Sequence, residues 1–274
     1  MYKFLSSCLI SLLYFVAIEA KICYYIINSL SEVFMYIDTH LHMLPYMDDG
    51  ASSVEVAVEM FEALKKQNVV GAVLAPHFYH NEITVDHFVA ARKAALSDLR
   101  LALGKKAAGF RFFLASEVHI AQGVADDPDL SKLTLRIGKN KTKLLPIELP
   151  VANFDEVTYA EITKIIQKHR LNPLICNLER CTIMYSPDQL KKVLTLPRAG
   201  FYINALSFRD KNIAKMAWEL HMSGKQVFIC SNAHNMFKRP PDISIDAVPI
   251  DDEYCRLVYK RIAEANLEFF QSYN

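Results

Sequence analysis

The sequence predicts an α/β fold, a distorted TIM-like β/α barrel of about seven strands covered by helices. Three observations carry this. From residue 35 onward, short apolar runs alternate with stretches of helical period. Those runs are continuously apolar rather than alternating, as strands buried on both faces of a parallel sheet are. Roughly seven such units in about 240 residues favour a closed barrel over an open sheet.

The elements follow in order. Residues 35–38 form a short β-rich run, and Ser52-Ser53-Val54-Glu55 has the form of a capping box. Val54, Ala57, Val58, Phe61 and Leu64 then recur at helical spacing until Asn68 closes the helix. Residues 69–75 are an apolar strand ended by Pro76; 84–103 read as a helix and 110–115 as a strand. Strand 144–147, helix 156–169 and strand 173–176 come next. Helix 187–195, strand 200–203, helix 209–222, strand 226–230 and a last helix near 251–270 complete the series.

Composition narrows the function classes. The 274 residues are 52% hydrophobic and 22% charged, which excludes a disordered or collagen-like chain. A formal charge of +1 gives no bulk electrostatic reason to bind nucleic acid, and none is expected as a partner. The six cysteines, at 8, 23, 176, 181, 230 and 255, form no CxxC pair and read mostly as buried thiols in a reducing compartment. Residues 1–34 stand apart from the domain at 35–274. Residues 4–18 are apolar and short for a membrane span, but they suit a signal peptide with Ile18-x-Ala20 as its cleavage site. An upstream stretch ahead of a true start at Met35, or a membrane anchor, are the other readings.

In parallel α/β folds chemistry gathers at the carboxyl ends of the strands. His40 and His42 follow the first strand, two apart on extended chain, so both imidazoles point to one side. Asp48-Asp49-Gly50 comes next, then His77 and His80 after the second strand and Glu117 and His119 after the third. A later strand ends at Asn177-Leu178-Glu179-Arg180, and the last at Ser231-Asn232-Ala233-His234 with Arg239 nearby. Mixed imidazole and carboxylate ligands suit zinc, manganese or iron. A neighbouring arginine can hold phosphate in bidentate fashion. His80 and His119 read as supporting or solvated residues, and His87, His169 and His221 as surface residues of helices.

The run from Tyr36 through Asp-Thr-His-Leu-His to Met-Asp-Asp-Gly50 resembles the opening motif of the polymerase-and-histidinol-phosphatase (PHP) domain. It is most similar to the bacterial capsular-polysaccharide tyrosine phosphatases. The match continues in order through Ala75-Pro76-His77, Ser116-Glu117, Ile147-Glu148, Leu178-Glu179-Arg180, Ala233-His234-Asn235 and Arg239-Pro240-Pro241. It covers residues 35–274, and because members begin almost directly with the motif, Met35 is the expected start. The resemblance implies a PHP-type distorted barrel and hydrolysis of phosphotyrosine by metal-bound hydroxide. The implied substrate is a tyrosine kinase of capsule or exopolysaccharide export. The implied metal ligands, for up to three ions and often manganese, are His40, His42, Asp49, His77, Glu117 and His234. Arg180 and Arg239 would hold the phosphate, and Asp49 would act with them in catalysis. No Cys-x5-Arg loop is present for a cysteine-based tyrosine phosphatase.

Two positions depart from the family pattern. Asn177 stands where a histidine is usual, and Asn232 where an aspartate is usual. Asn232 can still offer a neutral oxygen as a weakened ligand, whereas Asn177 is read as a lost one, so fewer than three ions are implied. Two alternatives stay open. One keeps the fold but takes a small phosphate monoester, with loop 78–90 setting the pocket width. The other is a non-catalytic domain that binds phosphotyrosine or an export partner. The expected location is the cytoplasm if translation starts at Met35, and the membrane or exterior if residues 1–34 belong to the protein.

Overall fold

β1 (Tyr36–Leu41), β2 (Val69–Leu74) and β4 (Arg111–Leu114) form one parallel sheet, in the order β1-β2-β4. A second parallel sheet runs β3 (His77–Phe78), β5 (Glu117–His119), β6 (Leu144–Glu148), β7 (Asn172–Ile175), β8 (Gly200–Asn204), β9 (Val227–Cys230). In this computed structural model the described residues are 34–137, 143–151 and 153–272. Readings that concern residues 1–33, Cys8 and Cys23 included, lie outside them.

The two sheets are one wall broken at two kinks. β3 continues β2 after Ala75-Pro76, and β5 continues β4 after Ala115-Ser116. At the first kink Pro76 has no N–H to give to the ladder. The backbone stays paired across the breaks: Ala115 N donates to Leu74 O at 3.0 Å and Glu117 N to Pro76 O at 3.0 Å. Counting β2–β3 and β4–β5 as single strands leaves the seven strand positions that the sequence implies.

Closure between β1 and β9 is partial, which is the distortion of the barrel. At the upper end Asn232 N donates to His40 O (3.1 Å) and His42 N to Ala233 O (2.8 Å). Lower down side chains replace the ladder. Thr39 Oγ1 donates to Ile229 O, and Asn266 accepts from Ile229 N and donates to Val227 O. Buried backbone groups need partners, and these side chains supply them.

The helices are α1 (Val54–Lys66), α2 (Val85–Leu103), α3 (Glu156–Lys168), α4 (Leu178–Met184), α5 (Pro187–Leu194), α6 (Lys211–Met222) and α7 (Glu253–Gln271). Three details differ from the sequence reading. The first strand extends to Leu41, so His40 lies within it rather than beyond it. The cap of α1 is Ser53, which accepts from Val56 N; valine at that position cannot reciprocate, so the box is not completed there. A complete box occurs instead at Ser186 and Gln189 of α5. Residues 178–184, read only as a strand end, form the short helix α4.

The core fills the barrel. One apolar cluster draws Ile37, Val73, Phe113, Leu174, Tyr202 and Phe228 from six strands, closed by Phe270 of α7. Burying each such large side chain stabilises the fold by about 1.5–3 kcal/mol. That rigid wall fixes where the strand ends point.

Candidate metal centre

Register brings the site together before any side-chain choice. Pairing of β3 with β5 sets His77 opposite Glu117, and pairing of β5 with β6 sets His119 opposite Glu148. The β1–β9 bonds bring His40 and His42 beside Asn232 and Ala233, the residues just before His234. Gly50 folds the turn after β1 against that strand, where a Cβ would lie 2.1 Å from His42 O.

At the centre, Glu117 Oε2 lies 2.8 Å from His40 Nε2 and 3.1 Å from His42 Nε2, and the two nitrogens are 3.2 Å apart. His77 Nδ1 is 3.9 Å from the same oxygen and 3.6 Å from Glu148 Oε2. Asp49 Oδ1 sits 3.6 Å from His77 Nε2 and 3.3 Å from His234 Nε2. Three overlapping groups have ligand atoms within 4.8 Å of one another: His42, Asp49, His77 and His234; His77, Glu117 and Glu148; His40, Glu117 and Cys176. Every ligand implied by the sequence, apart from the two asparagines, is in this array. Those asparagines line the same cavity, of about 220 Å³, together with Arg180 and Arg239.

Neighbouring groups orient the rings. Asp48 Oδ2 pairs with His42 Nδ1 at 2.7 Å, and Asn232 O with His234 Nδ1 at 2.9 Å, so Nε2 of His42 turns to Glu117 and Nε2 of His234 to Asp49. Burial opposes a charge on His42, but the hydrogen bonds to Asp48 and Glu117 prevail and push it up to about 9. His234 goes the other way. Burial first, then the nearby His42 charge, hold it down to about 3, leaving a neutral ring whose Nε2 lone pair meets the Arg239 guanidinium. Burial would raise Glu117, yet His40 and His42 hold its carboxyl well below the usual range. The site therefore sets a charged His42 between the carboxylates of Asp48 and Glu117, next to a neutral His234.

That donor set fits a divalent cluster. His40 Nδ1, His77 Nδ1, Glu117 Oε1 and Asn232 Oδ1 are buried without hydrogen-bond partners among the described residues. Arg239 supplies a cation at one corner, its guanidinium 2.8 Å from His234 Nε2 and 2.7 Å from Asp49 Oδ2. A positive charge already sits where two ligand atoms converge.

Three residues received no site role from sequence reasoning. Glu148 closes β6 as Glu117 opens β5, a carboxylate at a strand end, and that was the available signal. Asp48 reads as a plain turn residue but fixes His42 and also accepts from His77 N at 2.8 Å. Cys176 reads as a buried thiol, which it is, yet it packs against His40 and Glu117. Burial pushes its thiol far up, so without a metal it stays protonated. The other histidines divide as expected in part. His87 is exposed, His119 bonds Glu148 at 3.2 Å in a supporting role, and His169 is half-buried against Ala125 O rather than purely on the surface. His80 makes no ion pair among the described residues.

Beside the metal cavity a groove of about 540 Å³ shares Asp49, His77 and Tyr79 with it, and Tyr46, Ile83 and Phe88 form its apolar wall. Segment 78–90 thus does border the site, but only 79–84 of it is loop, since Val85 begins α2.

A parallel β/α barrel that gathers histidines and carboxylates at its strand ends, with arginines beside them, defines a barrel of the PHP type with a candidate metal centre. Comparison with known proteins agrees. The family model for capsular polysaccharide synthesis, CpsB/CapC, matches residues 36–269, and the chain belongs to that family. It is 24% identical over 213 residues to the putative tyrosine-protein phosphatase CapC of Staphylococcus aureus, covering 74% of this chain and 79% of that one. It is 30% identical over 208 residues to the tyrosine-protein phosphatase YwqE of Bacillus subtilis, with the same coverage. A chain from the crystal structures of YwqE and of CpsB from Streptococcus pneumoniae, described as unique metal-dependent tyrosine phosphatases, shares the fold. Its TM-score is 0.63 at 24% identity, over 87% of this chain and 95% of that one.

Proposed function

We propose that this chain is a metal-dependent protein-tyrosine phosphatase acting on a phosphotyrosine protein, of the kind exemplified by a polysaccharide-export tyrosine kinase. The observation that carries the reading is the convergence of His40, His42, Asp49, His77, Glu117, Glu148 and His234 in three overlapping ligand groups, beside a cavity lined by five of them and by two arginines. These seven side chains would hold the ions, and manganese suits their mixture of nitrogen and oxygen, with iron or zinc close behind. When bound, such ions activate water near neutral pH and offset the charge on phosphoryl oxygens. The chain's own groups do the rest. Arg180 on α4 and Arg239 after β9 both line the cavity and would present forked donors to a phosphate. Tyr79, pushed up to about 12 by burial and by Glu148 and Asp49, keeps its proton and can donate a hydrogen bond at the cavity wall. The adjoining apolar groove suits an aromatic leaving group better than a small polar phosphate ester.

A second reading, phosphotyrosine binding without turnover, draws on Asn177 and Asn232. One experiment separates the two. Hydrolysis of a phosphotyrosine peptide by the manganese-loaded protein, abolished by chelator and by His40→Ala, supports the enzyme. Tight peptide binding with no phosphate release supports the binding module. Among the described residues no helix is long and apolar enough to cross a membrane. The four described cysteines are free and buried, which supports a reducing, cytoplasmic setting for the folded body.

A further inference from the structure

Two asparagines line the metal cavity, and they bind each other. Asn232 Nδ2 donates to Asn177 Oδ1 at 2.7 Å, and both residues are buried, at 3% and 7% exposure. Both also adopt the left-handed backbone, with φ of 50° and 53°. Asparagine tolerates that conformation better than most residues, so each sits at a strand end without strain.

Asn232 is pinned on every side but one. Its N–H donates to His40 O at 3.1 Å, its carbonyl holds His234 Nδ1 at 2.9 Å, and its side-chain nitrogen is held by Asn177. What is left over is Oδ1, buried and without a partner among the described residues. Native structures seldom leave a buried acceptor unsatisfied, and a cation is the partner that the surrounding ligands suggest. An amide turned the other way would point N–H donors at that cation, so the orientation decides whether Asn232 can be a ligand at all.

We propose that Asn177 is a positioning residue. By accepting from Asn232 Nδ2 it fixes the amide so that Asn232 Oδ1 faces the metal cavity as a neutral ligand. Asn177 itself touches the ions only through this bond. The pair also joins the two halves of the site. Arg180 N donates to Asn177 O at 2.9 Å, so the helix bearing one phosphate arginine is tied to the segment bearing His234. This inference rests on the metal reading above and adds to it a division of labour between two residues that look alike.

The test is manganese binding by the full chain, followed by titration calorimetry and by elemental analysis of bound ions. Asn177→Gly removes the acceptor while keeping the backbone free to adopt positive φ. It is expected to weaken manganese binding by about 10–100-fold at one ion site, the range seen when a ligand loses its supporting partner. Asn177→Asp keeps the acceptor and is expected to bind at least as tightly as the wild type. Asn232→Gly is expected to lose at least as much as Asn177→Gly, and the double variant no more than Asn232→Gly alone. Wild-type affinity in Asn177→Gly, equal losses in Asn177→Gly and Asn177→Asp, or additive losses in the double variant would each overturn the inference while leaving the metal reading intact. A wild-type chain that takes up no manganese overturns both.

Discussion

Gly50 is the residue whose replacement tests how tightly the turn after β1 holds the metal centre. A Cβ there would lie 2.1 Å from His42 O, 2.5 Å from His42 Cβ and 2.8 Å from Asp48 Oδ1. Two of those contacts are with the carbonyl oxygen and Cβ of His42, just past β1, so no side-chain rotation relieves them. The turn and the strand must part by roughly 1 Å to reach ordinary contact. Three hydrogen bonds resist: Ala51 N to His42 O (3.0 Å), Tyr46 N to Ala51 O (3.0 Å) and His42 N to Ala233 O (2.8 Å). Overpacking alone costs about 1–3 kcal/mol, and each backbone bond lost adds about 1 kcal/mol. Gly50→Ala is therefore expected to lose about 3–5 kcal/mol, a large share of the roughly 5–15 kcal/mol that a domain has. Because His42 and Asp48 move, manganese affinity should fall with stability, by about 10–100-fold. Urea denaturation of the metal-free protein measures the first quantity and a binding isotherm the second. A stability change under about 1 kcal/mol would refute the claim that this contact is rigid.

Three further outcomes are expected. Arg239→Met removes the guanidinium that bonds His234 and Asp49, so kcat/KM on a phosphotyrosine peptide should fall by about 10²–10³ while manganese still binds. Unchanged kcat/KM would remove Arg239 from phosphate binding. Arg92 is buried with no ion pair among the described residues, and donates to Ala115 O, Ser116 Oγ and Lys132 O around the kink ahead of Glu117. Arg92→Met should cost about 2 kcal/mol or more in urea denaturation, and Arg92→Lys should not restore it, since one ammonium cannot span three acceptors. Burial pushes Cys181 up to about 12 and raises Cys176, Cys230 and Cys255 as well. Iodoacetamide at neutral pH should leave these four unlabelled until the protein is unfolded, as peptide mapping would show; fast labelling of the folded chain would contradict their burial.

The sequence by itself determined the fold class and most of the side chains that the structure gathers as candidate ligands. Continuous apolar strands, the two-residue spacing of His40 and His42, and a ligand-type residue after strand upon strand are local signals, and local signals survive in one dimension. Only the tertiary structure decided which carboxylates share which imidazoles. Glu148 enters the site because β5 and β6 pair in a register that sets His119 opposite it, and register is a relation between distant segments. Asp48 and Asp49 are neighbours in the same turn, yet one orients His42 from behind while the other reaches His77 and His234. Nothing in their order distinguishes them. The bond between Asn177 and Asn232 is likewise invisible along the chain, because 55 residues separate its ends. Residue types fix what chemistry is available at a strand end, and the closure of the barrel fixes which ends meet.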